Sequence, residues 1–370
     1  MSVPLLDLRA QHATIRDVVV DKLMQVVDSQ LFILGAAVEE LEKQVAQLSH
    51  TKHAVGCANG TDAILLAMRA LDIGRGDEVI TTPFTFFATA GTIHNVGATP
   101  VFVDIEPRTF NISPEAIAKA ITPKTKAIIP VDLFGQMAPI EEVVKVARGL
   151  PIIEDAAQSI GARRSIDGVT RMAGEAATIG TFSFFPSKNL GGYGDGGMIV
   201  TQHDDLAARL RRLRVHGGAT QYYHDEVGYN SRLDALQAAV LSAKLPYLEG
   251  WSAKRRANAA FYDKALAGIP GLVTPFVAKE NESIYNQYTI RVERRDELQA
   301  FLKSKGVGSA IYYPLPLHLQ PCFSYLGYAK GSIPEAEKAS AEVLSLPIFP
   351  ELSQAQLDEV AAAVRSFFGK

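Results

Sequence analysis

Seven short apolar runs, most of them separated by helical patterns, dominate residues 53–201. They read as strands at 53–57, 78–82, 99–105, 127–131, 151–155, 178–184 and 198–201. Runs this uniformly apolar offer no polar face to water, so the sheet they form has to be covered on both sides. The intervening helical segments, such as 62–71 and 140–148, make that sheet mostly parallel and the fold class α/β. Ligands of such sheets bind beyond the carboxyl ends of the strands. The side chains standing at those ends therefore decide what the chain can do.

Two of the strands run out into charge. One ends in Glu154-Asp155-Ala156-Ala157-Gln158, and another runs into Ser187-Lys188-Asn189-Leu190-Gly191-Gly192. A lysine at the end of a buried strand is costly unless something uses its amine. Five residues before it, Ser183 offers a hydroxyl to an anion. After the first strand, Asn59-Gly60-Thr61-Asp62-Ala63 opens a helix, where free N–H groups and the helix dipole favour an anion. The plainer reading of that segment is that Thr61 or Asp62 only caps the helix. Strand-end lysine, strand-end acid and phosphate-type loop together point to pyridoxal 5′-phosphate (PLP). Its aldehyde forms a Schiff base with a lysine, its ring nitrogen pairs with an acid, and its phosphate takes backbone donors. Phe86 can stack on a flat cofactor, and Gln158 can reach a ring substituent. The plainer alternatives are a core role for Phe86 and a structural salt bridge for Asp155.

Other chemistries fit less well. Gly192-Tyr193-Gly194-Asp195-Gly196-Gly197 matches G-x-G-x-x-G but precedes a strand instead of opening a helix, so a dinucleotide site is not expected. The histidines show no zinc spacing and no Cys-x-x-Cys occurs, so no metal site is expected. A net charge of −3 gives no reason to expect nucleic-acid binding. The basic run Arg209–Arg214 reads as a solvated helix face or a subunit contact. The absence of a long apolar run, a start unlike a signal peptide, and only two cysteines, Cys57 and Cys322, predict a cytoplasmic protein without a membrane span.

The length of 370 residues suits two domains. We expect a large domain over 1–250, with a helical N-terminal segment and a loop at 32–35, and a small α+β domain over 251–370. A helical pattern over 233–266 should break at Pro246. Beyond it lie an expected strand at 286–292, a helix at 296–305 and a strand at 309–313. A closing helix follows the capping box Ser353-Gln354-Ala355-Gln356.

Taken in order, these motifs resemble the DegT/DnrJ/EryC1/StrS family of PLP-dependent nucleotide-sugar aminotransferases, over nearly the whole chain. The resemblance implies the aspartate-aminotransferase-like fold (fold type I), with a mostly parallel seven-stranded sheet in the large domain. It implies that Lys188 and Asp155 are catalytic, with Asp155 on the ring nitrogen and Gln158 near the ring oxygen. Gly60, Thr61, Asp62 and Ser183 then serve the phosphate, and Phe86 the ring face. Asn230, in Gly228-Tyr229-Asn230-Ser231-Arg232-Leu233-Asp234, would cross a homodimer interface to the neighbour's cofactor phosphate. Tyr313 and His318, in the run from Tyr312 to His318, resemble the loop lining the sugar-nucleotide site, and Arg232 is free for an anionic substrate. Relatives that dehydrate sugars replace the lysine by histidine, so Lys188 favours amino transfer.

The implied reaction is ping-pong, from L-glutamate through pyridoxamine phosphate to a nucleotide-linked keto sugar. The run Gln221-Tyr222-Tyr223-His224 resembles members acting on UDP-linked 3-keto-N-acetylhexosamines or their uronic acids. The alternatives are a dTDP-keto-6-deoxysugar aminated at C3 or C4, a PLP lyase or dehydratase, and a non-catalytic regulatory relative.

Overall fold

A computed structural model of the chain describes residues 2–369 apart from 219 and 221. Gln221, which opens the run just noted, thus lies outside the described residues. The centre of the molecule is a sheet of β1 (His53–Cys57), β2 (Glu78–Thr81), β3 (Thr99–Phe102), β4 (Thr125–Ile129), β5 (Ile153–Asp155), β6 (Ile179–Ser183) and β7 (Gly197–Thr201). Across the sheet the order is β3-β2-β4-β5-β6-β7-β1. Strands β4 and β5 meet through the single parallel bridges Ile128–Ile152 and Val131–Asp155. Strand β7 runs antiparallel to both its neighbours, and the other pairs are parallel. The expected mostly parallel seven-stranded sheet is therefore present. The strand expected at 99–105 is shorter, because Ile105 turns away to pair with Ile112.

Alternation along the strands feeds two cores. Ala54, Met198 and Val200 pack with α2 (Ala36–Leu48), which follows α1 (Leu8–Ser29). Val55, Ile179 and Ile199 face the other way, onto α3 (Gly60–Ala70) and onto Ile93 of α4 (Phe87–Asn95). Helices α5 (Pro114–Ala120) and α6 (Ile140–Val146) cover Ile80, Ile128 and Ile152, while Leu210 and Leu213 of α7 (Asp204–Leu213) join the α3 side. Pro246 separates α8 (Ala235–Lys244) from α9 (Leu248–Ala265) by one tight turn, as expected.

The changeover between cores falls inside α9. Leu248 packs with the sheet's core, whereas Ala259 and Tyr262 pack with β8 (Leu272–Val273), β9 (Tyr288–Val292), α10 (Arg295–Ser304), β10 (Val343–Leu346) and α11 (Gln354–Phe367). Val3 belongs to this second core and bridges to Val307, so the N-terminal segment reaches across to it. The closing helix begins on the expected capping box, with Ser353 and Gln356 bonded reciprocally. The strand expected at 309–313 is not regular: one bridge, Ala310–Ser345, forms, and the chain then leaves as a loop. Its partner Ser345 lies in β10, which pairs with β9 and follows the helix Pro334–Glu342 without a break.

The two parts are also joined directly. Asp104, just beyond β3, accepts hydrogen bonds from the Glu335 and Ala336 N–H groups at 3.0 and 2.9 Å, capping the helix Pro334–Glu342. Beneath this cap Phe84, Phe102 and Phe110 share one core with Leu317, Phe323 and Ile333.

Candidate active site

Asp155 ends β5 with its side chain on the α3/α4 side of the sheet, 5% exposed. Its Oδ2 accepts a hydrogen bond from Thr89 Oγ1 at 2.7 Å, and its Oδ1 accepts one from the Ala157 N–H at 3.2 Å. Thr89 lies in turn 3.0 Å from the Thr85 hydroxyl, and both threonines are buried. Burial pushes the Asp155 carboxyl above its ordinary value; Thr89, Ala157 and the nearby Lys188 charge pull the other way. Thr89 was not among the residues read from the sequence. It sits in an apolar helical pattern, and nothing local signals that its hydroxyl turns to an acid 66 positions away.

Lys188 follows β6 through a turn in which its N–H donates to the Phe185 carbonyl at 2.8 Å. Among the described residues its amine has neither a hydrogen bond nor an ion pair. Burial lowers it to about 8, against the upward pull of Asp155. An amine so placed is a nucleophile and a proton carrier close to neutral pH.

Beside them, Gln158 is held at both ends. Its Oε1 accepts from the Phe134 N–H at 2.7 Å, and its Nε2 donates to the Tyr313 hydroxyl at 3.0 Å. The loop after Ala310 thereby brings Tyr313 to the strand ends. Phe86, 58% exposed at the start of α4, has its ring 6.3 Å from that of Tyr313. It is a surface aromatic, not a core one.

The start of α3 meets Ser183 at the end of β6. A Cβ added to Gly60 would stand 2.6 Å from Ser183 Cβ and 3.0 Å from its Oγ, so only glycine allows this approach. The cap is Asn59, whose Oδ1 accepts from the Asp62 N–H at 2.8 Å; neither Thr61 nor Asp62 plays that part. This leaves the Gly60 and Thr61 N–H groups without a partner inside the helix. It also spends the Asp62 N–H, so of the expected loop residues Asp62 has the least to offer an anion.

The remaining expected residues lie elsewhere. Asn230 is exposed and bridges to Val215, and no bond joins it to Lys188 or Asp155 within one chain. Arg232 lines a surface cavity with His216, Tyr222 and His224. Among the described residues it forms no ion pair with the nearby Asp234. His318 departs from expectation. It is 1% exposed, bonded through Nε2 to Glu337 Oε1 at 3.1 Å and packed on the Tyr328 ring. A side chain so covered presents no surface to a substrate. The resemblance of the run from Tyr312 to His318 to a substrate-lining loop marked it in the sequence, but burial could not be read there.

The residues present fit PLP. A free amine of lowered basicity stands near a buried acid that lacks a bonded cation. Free N–H groups and a serine hydroxyl converge where a Cβ would block the approach. Among the described residues no cluster of potential metal ligands occurs, and no helix is long and apolar enough to cross a membrane.

Comparison with known proteins agrees. Residues 14–365 match the model of the DegT/DnrJ/EryC1/StrS aminotransferase family. The chain is 52% identical to a protein of Geobacillus stearothermophilus named pleiotropic regulatory protein, covering 100% of this chain and 99% of that one. It is 46% identical to the UDP-N-acetyl-3-dehydro-alpha-D-glucosamine 3-aminotransferase of Acidithiobacillus ferrooxidans, covering 98% and 97%. Its fold matches that of S. venezuelae DesV, solved in complex with a ketimine intermediate, with a TM-score of 0.97, 42% identity and coverage of 100% and 99%. With the order of motifs, the sheet and the site all in agreement, this chain belongs to the DegT/DnrJ/EryC1/StrS aminotransferase family.

Proposed function

We propose that the protein is a PLP-dependent transaminase that moves the amino group of L-glutamate to a nucleotide-linked keto sugar, a UDP-linked 3-keto-N-acetylhexosamine or its uronic acid. The observation that carries this reading is Lys188, an unpartnered amine lowered to about 8 close to a buried carboxyl. The similarity to the Acidithiobacillus enzyme supports the choice of sugar. When bound, PLP supplies an electron sink for the charge that develops at the carbon bearing the amine. Asp155 holds the proton of the ring nitrogen. Lys188 Nζ removes the Cα proton of glutamate in the first half-reaction and delivers a proton to the sugar carbon in the second. Gly60, Thr61 and Ser183 hold the phosphate, and Phe86 and Tyr313 offer aromatic surface to the ring and the sugar. Arg232 is the available fork of donors for a pyrophosphate or carboxylate.

Asn230 is assigned to the neighbouring site of a homodimer. The exposed apolar residues Leu31 and Ile33 support this assignment, because their loop pairs with Asp234 and Ala235 and so adjoins the Asn230–Arg232 segment. A cytoplasmic location fits two cysteines that form no disulfide, Cys57 and Cys322.

The test is to load the enzyme with pyridoxamine phosphate and offer keto sugars with and without a nucleotide, following the visible absorption of the cofactor. Return of the PLP spectrum only with the UDP-linked sugar is expected. Preference for a dTDP-sugar would shift the substrate to the alternative class, and turnover of small 2-oxo acids alone would make this an amino-acid transaminase. The name of the Geobacillus relative keeps a regulatory role as the second reading. It is favoured if the folded, PLP-bound protein shows no conversion with glutamate.

A further inference from the structure

Three acids are buried where β4 and β5 end: Asp132, Glu154 and Asp155. Successive residues of a strand face opposite ways, so Glu154 points away from Asp155. The bridge between Val131 and Asp155 places Asp132 on the same side as Glu154. There Asp132 Oδ1 accepts from the Ala138 N–H at 2.8 Å, and Oδ2 accepts from Ser159 Oγ at 2.7 Å. Glu154 Oε1 accepts from the Gly174 N–H at 3.1 Å, while its Oε2 is buried with no donor. Among the described residues neither acid has an ion pair, and each bears electrostatically on the other. The other charges facing them are also acidic: Asp155 across the sheet, and Glu175, itself paired with Arg171 and His50.

Two carboxylates in this setting would repel and would leave an oxygen unsatisfied. One proton removes both problems. Both oxygens of Asp132 already take donors, so it suits the accepting role. Glu154 Oε2 has none, so it suits the donating one. We propose that Glu154 is kept protonated and donates to Asp132, and that this one-proton pair is a positioning device that fixes the end of β5 and with it Asp155. The main chain completes the link, since the Asp132 N–H donates to the Asp155 carbonyl at 3.0 Å. Burial raising both carboxyls above their ordinary values agrees with a proton held between them. The positioning half of the inference rests on Asp155 serving the cofactor; the proton itself does not.

The two halves have separate readouts. In the apoprotein at neutral pH, infrared spectroscopy should show the carbonyl band of a buried protonated carboxylic acid, shifted in D2O and lost in Glu154→Gln. Absence of such a band from the wild type, or its survival in Glu154→Gln, overturns the shared proton. Glutamine keeps both hydrogen bonds, so Glu154→Gln should bind PLP and react with glutamate within about threefold of wild type. Glu154→Leu, of similar size but without donor or acceptor, should shift the visible band of bound PLP and slow the glutamate half-reaction at least about tenfold. A folded Glu154→Leu protein with wild-type spectrum and rate overturns the positioning role. So does a folded Glu154→Gln protein that loses tenfold, because the ionised carboxylate would then be the required form.

Discussion

An amine withdrawn from water loses basicity, and for Lys188 this sets a pH dependence whose sign can be worked out. With the folded value at about 8 and the ordinary value at 10.5, the unfolded chain holds more protons between them. The folded apoprotein therefore carries a costly buried ammonium below about pH 8, and that cost is relieved as the pH rises toward 10.5. Only the neutral amine attacks an aldehyde, so capture of PLP by the apoprotein should accelerate through a midpoint near 8, read by stopped-flow absorbance. A midpoint at the ordinary lysine value would contradict the site. Borohydride should then fix the cofactor on the peptide that holds Lys188. Asp155→Asn should retain cofactor through the phosphate contacts yet slow the glutamate half-reaction by about 10²-fold or more, as loss of a group acting only on developing charge does. Thr89→Val removes a hydrogen bond to a carboxylate, worth about 1.5–3 kcal/mol. Since that bond lowers the Asp155 pKa, its loss should move the acid limb of the half-reaction to higher pH. An unmoved limb in a folded variant would exclude Thr89 from the site. Lys188, Asp155 and Ser183 were legible because strand ends expose them to inspection. Thr89 and the interior setting of His318 were not, because both depend on contacts between distant segments.

At the level of elements, the sheet was readable because strands buried on both faces leave nearly unbroken apolar runs. Edges shifted by a few residues, as at β3, where Ile105 finds its partner across a turn. The C-terminal part of the chain was harder. The 309–313 segment has the composition of a strand, but Ala310 alone bridges, to Ser345 of β10, and β10 itself is hidden because neither glycine nor proline separates it from the preceding helix. The junction of α3 with β6 gives the clearest test at this scale. Gly60→Ala would drive a Cβ to 2.6 Å from that of Ser183, and the helix start cannot yield without moving its N–H groups. Overpacking of this kind costs about 1–3 kcal/mol. We expect a lower melting temperature and PLP affinity weakened by about tenfold or more in titration, since 1.4 kcal/mol is a factor of ten. Full affinity in Gly60→Ala would separate this junction from the phosphate.

For the molecule as a whole, one chain leaves Asn230 and Arg232 unbonded to the Lys188 cluster. If Asn230 serves a neighbour, mixing inactive Lys188→Ala and Asn230→Asp chains should restore activity as subunits exchange, because one hybrid site then holds both intact residues. A fully active monomer by light scattering would refute the shared site. The Asp104 cap has a different kind of consequence. The helix Pro334–Glu342 begins on the carboxylate of Asp104, over aromatic packing drawn from residues 84–110 and 317–333 alike. Calorimetry should therefore record a single transition, lowered in Asp104→Ala by a cap's worth of about 0.5–2 kcal/mol. A single transition would mean that the two halves are parts of the architecture without being independent folding units. In exchanges between homologues the aspartate, the helix it caps and the loop that presents Tyr313 form one heritable block. Chimeras cut inside that block should fail to accumulate as soluble protein, whereas those that transplant it whole should survive.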